Sequence, residues 1–88
     1  MNTLLIDTSS NKEIRVGLVI GEKKYLMKRK VDFQKAQVVL PMIDELLKKH
    51  HLKLSQLEKI EVNSGPGSFT GIRVGLSVAN ALRFALGI

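Results

Sequence analysis

The chain has 88 residues, 44% of them apolar and 25% charged, with no cysteine and a net charge of +6. Such a length supports one domain with one small core, and such a balance excludes a disordered or fibrous chain. Without cysteine there are no disulfides and no thiolate-held zinc or iron–sulfur sites; no apolar run is long enough to span a bilayer, and the start lacks the basic region of a signal peptide, so the expectation is a cytoplasmic, metal-free chain.

In chain order, Thr3 to Asp7 is a short apolar run that predicts a buried strand ending in a carboxylate, followed by the polar turn cluster Thr8-Ser9-Ser10-Asn11. From Glu13 to Ile20 the pattern alternates, with Ile14, Val16, Leu18 and Ile20 on one face and Arg15, Gly17 and Val19 on the other. Gly21-Glu22 suits a tight hairpin, and Lys23 to Val31 is the return strand, giving a three-stranded antiparallel meander. Residues 12–30 hold seven basic side chains (Lys12, Arg15, Lys23, Lys24, Lys28, Arg29, Lys30) against Glu13 and Glu22. Lysines along a sheet edge guard against aggregation; the alternative is contact with a phosphate backbone, without interleaved aromatic residues to stack on bases.

After Asp32 the period becomes helical. Val39, Met42, Ile43, Leu46 and Leu47 form one stripe of a helix over about residues 35–50, with Asp44–Lys48 and Glu45–Lys49 as i,i+4 pairs. Pro41 sits either in its first turn or inside a helix that starts earlier. His50 and His51 are adjacent at the helix end, so they cannot share a face as metal ligands do; exposed contacts with the last carbonyls are expected. Ser55-Gln56-Leu57-Glu58 fits a capping box for one helical turn. Ile60 to Asn63 is the next strand, and residues 70–86 form a second long helix that Gly87 ends, with Ile88 free to begin another strand. The order β-β-β-α-β-α leaves this last helix without a following strand, as in a truncated or split protein.

The most informative stretch is Gly65-Pro66-Gly67-Ser68-Phe69-Thr70-Gly71-Ile72-Arg73-Val74-Gly75, which joins a strand to a helix where backbone N–H groups can hold an anion. It matches neither a Walker A loop, having Thr70-Gly71-Ile72 where Lys and Ser/Thr belong, nor a dinucleotide fingerprint, having Thr70 at the third glycine. A structural loop accounts for more of the residues. Gly65, Pro66 and Gly67 shape the turn, Ser68 or Thr70 caps the helix, and Phe69 plugs the core beneath. Within the helix, Gly71, Gly75 and Ala79 form one row, Ser77, Ala81 and Ala85 a second, and Val74, Val78 and Leu82 a third. Each helix glycine costs roughly 1 kcal/mol relative to alanine, which close approach of another element offsets. The three rows cover more circumference than one small sheet can bury, so a further surface is expected to meet the rest of the fold or a partner. Substituting Gly75 by Leu is then expected to abolish pairing without unfolding the chain.

The segment from Gly65 to Gly75 resembles the signature of the TsaB family, also called YeaZ. Ile6-Asp7-Thr8-Ser9 and Leu40-Pro41-Met42-Ile43-Asp44-Glu45-Leu46-Leu47, at the family's spacing, extend the resemblance over the whole chain, which corresponds to the N-terminal half of a usual member. The resemblance implies an actin-like, ribonuclease-H-type (ASKHA) half-domain, one unit over residues 1–88, without a cofactor. It implies a non-catalytic subunit in the synthesis of threonylcarbamoyladenosine at position 37 of tRNA. The two long helices would pack against a TsaD-like transferase, or against a second copy, with a TsaE-like ATPase in the same pathway and tRNA contacted indirectly. The interface would then draw on Leu40, Ile43, Leu47, Gly71, Arg73, Val74, Gly75, Val78, Ala79 and Leu82.

Two departures stand out. Many members carry His-Ser where this chain has Ala36-Gln37, and active ASKHA ATPases carry a glycine after the first-strand aspartate where Asp7-Thr8-Ser9-Ser10 has none. Catalytic relatives also carry a metal-binding histidine pair on a helix, and nothing here compares with it. Asp7, Thr8 and Ser9 remain candidates for a nucleotide or phosphate, with Asp7 otherwise accepting from the turn N–H groups of Ser9 and Ser10. Arg73 is a candidate for pairing with an anion or a partner carboxylate. The competing readings are a small ATPase or phosphotransferase using Asp7 and the Gly65–Gly71 loop, and direct tRNA binding by residues 12–30.

Overall fold

The computed structural model describes residues 1–31, 35–63 and 65–88. Strands β1 (Asn2–Asp7), β2 (Glu13–Ile20) and β3 (Lys23–Lys30) form an antiparallel meander; helix α1 (Lys35–Lys49) then crosses to β4 (Lys59–Val62), and α2 (Phe69–Leu86) closes the described chain. The sheet order is β3-β2-β1-β4, with β4 parallel to β1 and Ile6 opposite Val62. The expected mixed sheet and element order are therefore present. The change of period placed at Asp32 lies outside the described residues.

Alternation in the strands decides which face is buried. Leu4, Ile6, Ile14, Val16, Leu18 and Ile60 point to one side, where they meet Val39, Met42, Ile43, Leu46 and Leu47 of α1 and Ala79 of α2. Burying each large aliphatic side chain stabilises by roughly 1.5–3 kcal/mol. Both helices lie on this side. The other face, with Leu5, Arg15, Gly17, Lys24 and Leu26, carries no helix among the described residues.

Several local features depart from expectation or decide between alternatives. Of the two positions open to Pro41, it takes the one inside α1. A proline there cannot donate to the Gln37 carbonyl, but Gln37 is exposed, so water can serve that oxygen. Glu45 pairs with Arg29 of β3 at 2.9 Å, while Asp44 and Lys48 form the expected i,i+4 pair. The 3-10 turn is Leu54–Gln56 and starts after Lys53, two residues before the expected cap; Gln56 accepts from the Lys53 N–H at 2.8 Å. The Glu58 carboxylate accepts instead from the Asn2 N–H at 2.9 Å.

α1 ends in a Schellman arrangement. The Leu52 N–H donates to Leu47 and the His51 N–H to Lys48, with His51 in the left-handed region at φ 54°. His50 is half-buried, its ring stacked on Tyr25 with centroids 4.0 Å apart. At the far end of α2, Gly87 has φ 71° and the Ile88 N–H donates to the Arg83 carbonyl, which completes the cap.

Candidate functional site

The turn after β1 and the glycine loop after β4 come together because β1 and β4 are parallel neighbours ending at the same edge. Asp7 Oδ1 accepts from the Ser9 N–H at 3.0 Å and from the Ser9 hydroxyl at 2.6 Å. Asn63 Nδ2 donates to the Ser9 Oγ at 3.1 Å, and Asn63 Oδ1 accepts from the Gly65 N–H at 3.1 Å. The Ser9 carbonyl accepts from the Ser68 N–H at 2.7 Å. The two turns are thus stitched into one unit through Ser9.

Burial raises the Asp7 pKa, but the Ser9 hydroxyl and N–H, the Asn63 amide and the Arg15 guanidinium together outweigh it and hold the carboxyl below its ordinary value. Asp7 is ionised near neutral pH, and one of its oxygens is already committed to its own turn.

Gly67 shows why the loop needs glycine at this contact. A Cβ there would stand 2.6 Å from the Ser9 carbonyl oxygen, at φ 156°. Phe69 is 73% exposed and is not the expected core plug. Its ring lies 5.4 Å from the Arg73 guanidinium, which stands over it on the next turn of α2. Ser68 is the cap of α2, with its hydroxyl accepting from the Gly71 N–H at 3.2 Å.

Thr8 is fully buried, and its hydroxyl donates to the Gly71 carbonyl in α2. It therefore holds α2 to the sheet and does not face an incoming phosphate. The structure brings Asp7 and Ser9 together with the Gly65–Ser68 loop, and it places Thr8 on the opposite, helix side. The loop N–H groups of Gly65, Ser68 and Gly71 are spent on Asn63, Ser9 and Ser68, which leaves less of an anion cradle than the sequence position suggests. Among the described residues, no group of three or more His, Asp or Glu side chains could hold a metal ion.

The helix surface expected as an interface divides sharply. Gly71, Gly75 and Ala79 are buried against the chain's own sheet, and Ile43 and Leu47 are 3% and 5% exposed in the core. These five cannot meet a partner, which corrects the expected surface. Leu40 is half-exposed, Arg73 exposed, and Val74, Val78 and Leu82 half-buried. A groove of about 350 Å³ runs between the starts of the two helices, lined by Ala36, Thr70, Arg73, Val74, Ser77 and Val78. The outer side of α2 also presents Phe84, 90% exposed.

Two structural residues were missed by sequence reasoning. Asn63 was read only as a strand end, although Asn before Ser-Gly-Pro-Gly is a signal for a side-chain-capped turn. Arg83 donates to the Ile60 carbonyl at 2.5 Å and ties the end of α2 to β4, for which the sequence carries no local signal.

The model of the family "TsaD: tRNA N6-adenosine threonylcarbamoyltransferase" matches residues 29–88. Over all 88 residues the chain is 32% identical to the tRNA threonylcarbamoyladenosine biosynthesis protein TsaB of Buchnera aphidicola subsp. Baizongia pistaciae, of which it covers 40%. Over 82 residues, 93% of the chain, it is 37% identical to TsaB of Haemophilus influenzae and covers 35% of that protein. The solved structure of YeaZ from Pseudomonas aeruginosa superposes with a TM-score of 0.91 at 32% identity, over 98% of this chain and 40% of that one. The chain thus spans about two-fifths of the length of these relatives. With its whole length, its glycine loop and its sheet topology matched, the chain belongs to the TsaD family and, within it, to the TsaB (YeaZ) proteins.

Proposed function

We propose that the chain is a non-catalytic binding module of tRNA threonylcarbamoyladenosine synthesis, working in the cytoplasm and docking a TsaD-like transferase through the outer sides of α1 and α2. The observation that carries this reading is the outer surface of α2. Phe69 and Phe84 are 73% and 90% exposed there, with the small exposed residues Thr70, Ser77 and Ala81 between them and Ala85 just beyond. Exposed aromatic residues flanking small ones allow a partner helix to approach closely while burying large apolar area. Arg73 beside Phe69 supplies a cation for a partner carboxylate. The same surface could pair two copies of the chain, and residues 1–88 would act as one unit of the larger fold. A TsaE-like ATPase would act in the same pathway.

Support for a supporting rather than catalytic part lies in Asp7 and the glycine loop, whose polar groups are largely engaged with one another. The test is association with a TsaD-like transferase, followed by size exclusion with light scattering. Phe84→Asp and Ser77→Arg are expected to weaken the heterodimer at least tenfold while leaving the thermal midpoint of the chain unchanged. Full-strength association by both variants would place the interface elsewhere, and a homodimer that ignores the transferase would remove the heterodimer reading.

A further inference from the structure

The sheet face without a helix among the described residues is unevenly charged. Residues 12–30 contribute +5 of the chain's net +6, and of these Arg15, Lys24, Lys28 and Lys30 lie on this face with Glu13. Along β3, Lys24, Leu26, Lys28 and Lys30 share the open face, while Tyr25, Met27 and Arg29 face the helices. The pairing register sets Lys28 directly opposite Arg15 and Lys24 opposite Val19. Like charges directly opposed destabilise an antiparallel pair. Glu13 pairs with Arg15 at 2.6 Å and, from its place opposite Lys30, also attracts Lys28 and Lys30, but Lys12, Lys24, Lys28 and Lys30 make no direct ion pair among the described residues. On the helix side, by contrast, Arg29 is matched by Glu45.

Protection of a sheet edge explains lysines on β3, the outermost strand. Arg15, one strand in, lies on the same face, where it is paired with Glu13 and acts on Asp7. Gly17 lies beneath the side chains of Leu26 and Leu5, and a concavity of about 380 Å³ opens beside them, with Arg15 and Lys24 on its β2–β3 side. Cations two residues apart on one strand face are spaced by roughly 6.6–6.8 Å. Asp7 and Glu61 line the far side of the same concavity, on β1 and β4. They confine the positive stripe to the width of two strands, which suits a single polyanionic backbone and opposes a flat anionic surface laid across the whole sheet. Tyr25 is turned away and stacked on His50, so no aromatic platform is offered to bases.

We infer that the open face of the β2–β3 hairpin, through Arg15, Lys24, Lys28 and Lys30, holds the phosphate backbone of RNA without reading its sequence. In the setting of the proposed function, on which this inference rests for the identity of the RNA, the ligand is the tRNA itself, contacted directly by this chain.

The test is anisotropy of a labelled unmodified tRNA titrated with the chain at several salt concentrations. Lys24→Gln/Lys28→Gln/Lys30→Gln is expected to lower affinity at least tenfold at low salt and to flatten the log–log salt slope by about 2–3, as loss of three phosphate contacts requires. The control Lys48→Gln/Lys49→Gln/Lys53→Gln removes the same charge from the helix side and is expected to change affinity less than twofold. Absence of binding by the intact chain, or equal weakening by the control, overturns the inference. So does tighter binding to phosphatidylserine-containing vesicles that the first triple variant abolishes, since the partner would then be a membrane. Transferase association, measured on the same variants, separates the two readings: its loss in the intact chain with tRNA binding kept defeats only the proposed function, and the reverse defeats only this inference.

Discussion

A Cβ at Gly75 would stand 2.6 Å from the Thr8 hydroxyl and 3.1 Å from Val62 Cγ2. Alanine improves helix propensity by about 1 kcal/mol, but overpacking at a closed contact costs roughly 1–3 kcal/mol. Gly75→Ala is therefore expected to lower stability by about 1 kcal/mol in urea unfolding, and Gly75→Leu to unfold the chain; this replaces the expectation that the leucine variant would only lose its partner. At Asp7, the folded pKa is depressed, so its stabilising contribution is present above the ordinary carboxylate value and is lost as pH falls below about 4 toward the folded pKa. The stability gap between the native chain and Asp7→Asn should accordingly be constant near neutral pH and close below about pH 4. A gap that persisted undiminished to pH 2 would mean that Asp7 acts through shape alone.

At the scale of elements, the caps decide how well the helices are fastened. Ser68→Ala removes the acceptor for the Gly71 N–H and should cost about 1 kcal/mol. His51 closes α1 from a left-handed position where glycine carries no Cβ penalty. His51→Gly is expected to stabilise by about 0.5–1 kcal/mol, the relief of strain exceeding the added freedom of the unfolded chain. Thermal melts of the two single variants should therefore shift in opposite directions. The helices themselves were legible from periodicity: α1 and α2 lie within one residue of their expected ends, because a five-residue apolar stripe and a glycine stop are local signals. The 3-10 turn was misplaced because Glu58 fits a capping box by spacing, yet bonds to Asn2, 56 residues away.

Across the whole molecule, two helices cover one sheet face, and the other carries the cations Arg15, Lys24, Lys28 and Lys30 of the β2–β3 hairpin. Opposed cations on β2 and β3 repel within the folded state, and added salt screens that repulsion. Raising ionic strength from low to physiological should stabilise the chain by about 0.5–1 kcal/mol, and the Lys24→Gln/Lys28→Gln/Lys30→Gln variant should lose most of this response. Denaturant midpoints of the two chains at two salt concentrations check the point. An unaltered salt response in the variant would show that the repulsion lies outside the hairpin.

The order of elements, the buried faces of β1, β2 and α1, and the concentration of charge between residues 12 and 30 were determined by the sequence alone, because alternation, helical period and composition are properties of neighbouring residues. The burial of α2 was not. Its rows of glycine and alanine, of serine and alanine, and of valine and leucine are each compatible with packing on a sheet, and periodicity does not rank them. Tertiary structure selected the glycine row, because the Thr8 hydroxyl and Val62 come too close to Gly75 for any side chain there. It likewise left Phe69 facing outward, and it assigned Thr8 to a carbonyl 63 residues away. Those choices depend on parallel pairing of β1 with β4, a contact between distant segments that no local pattern encodes.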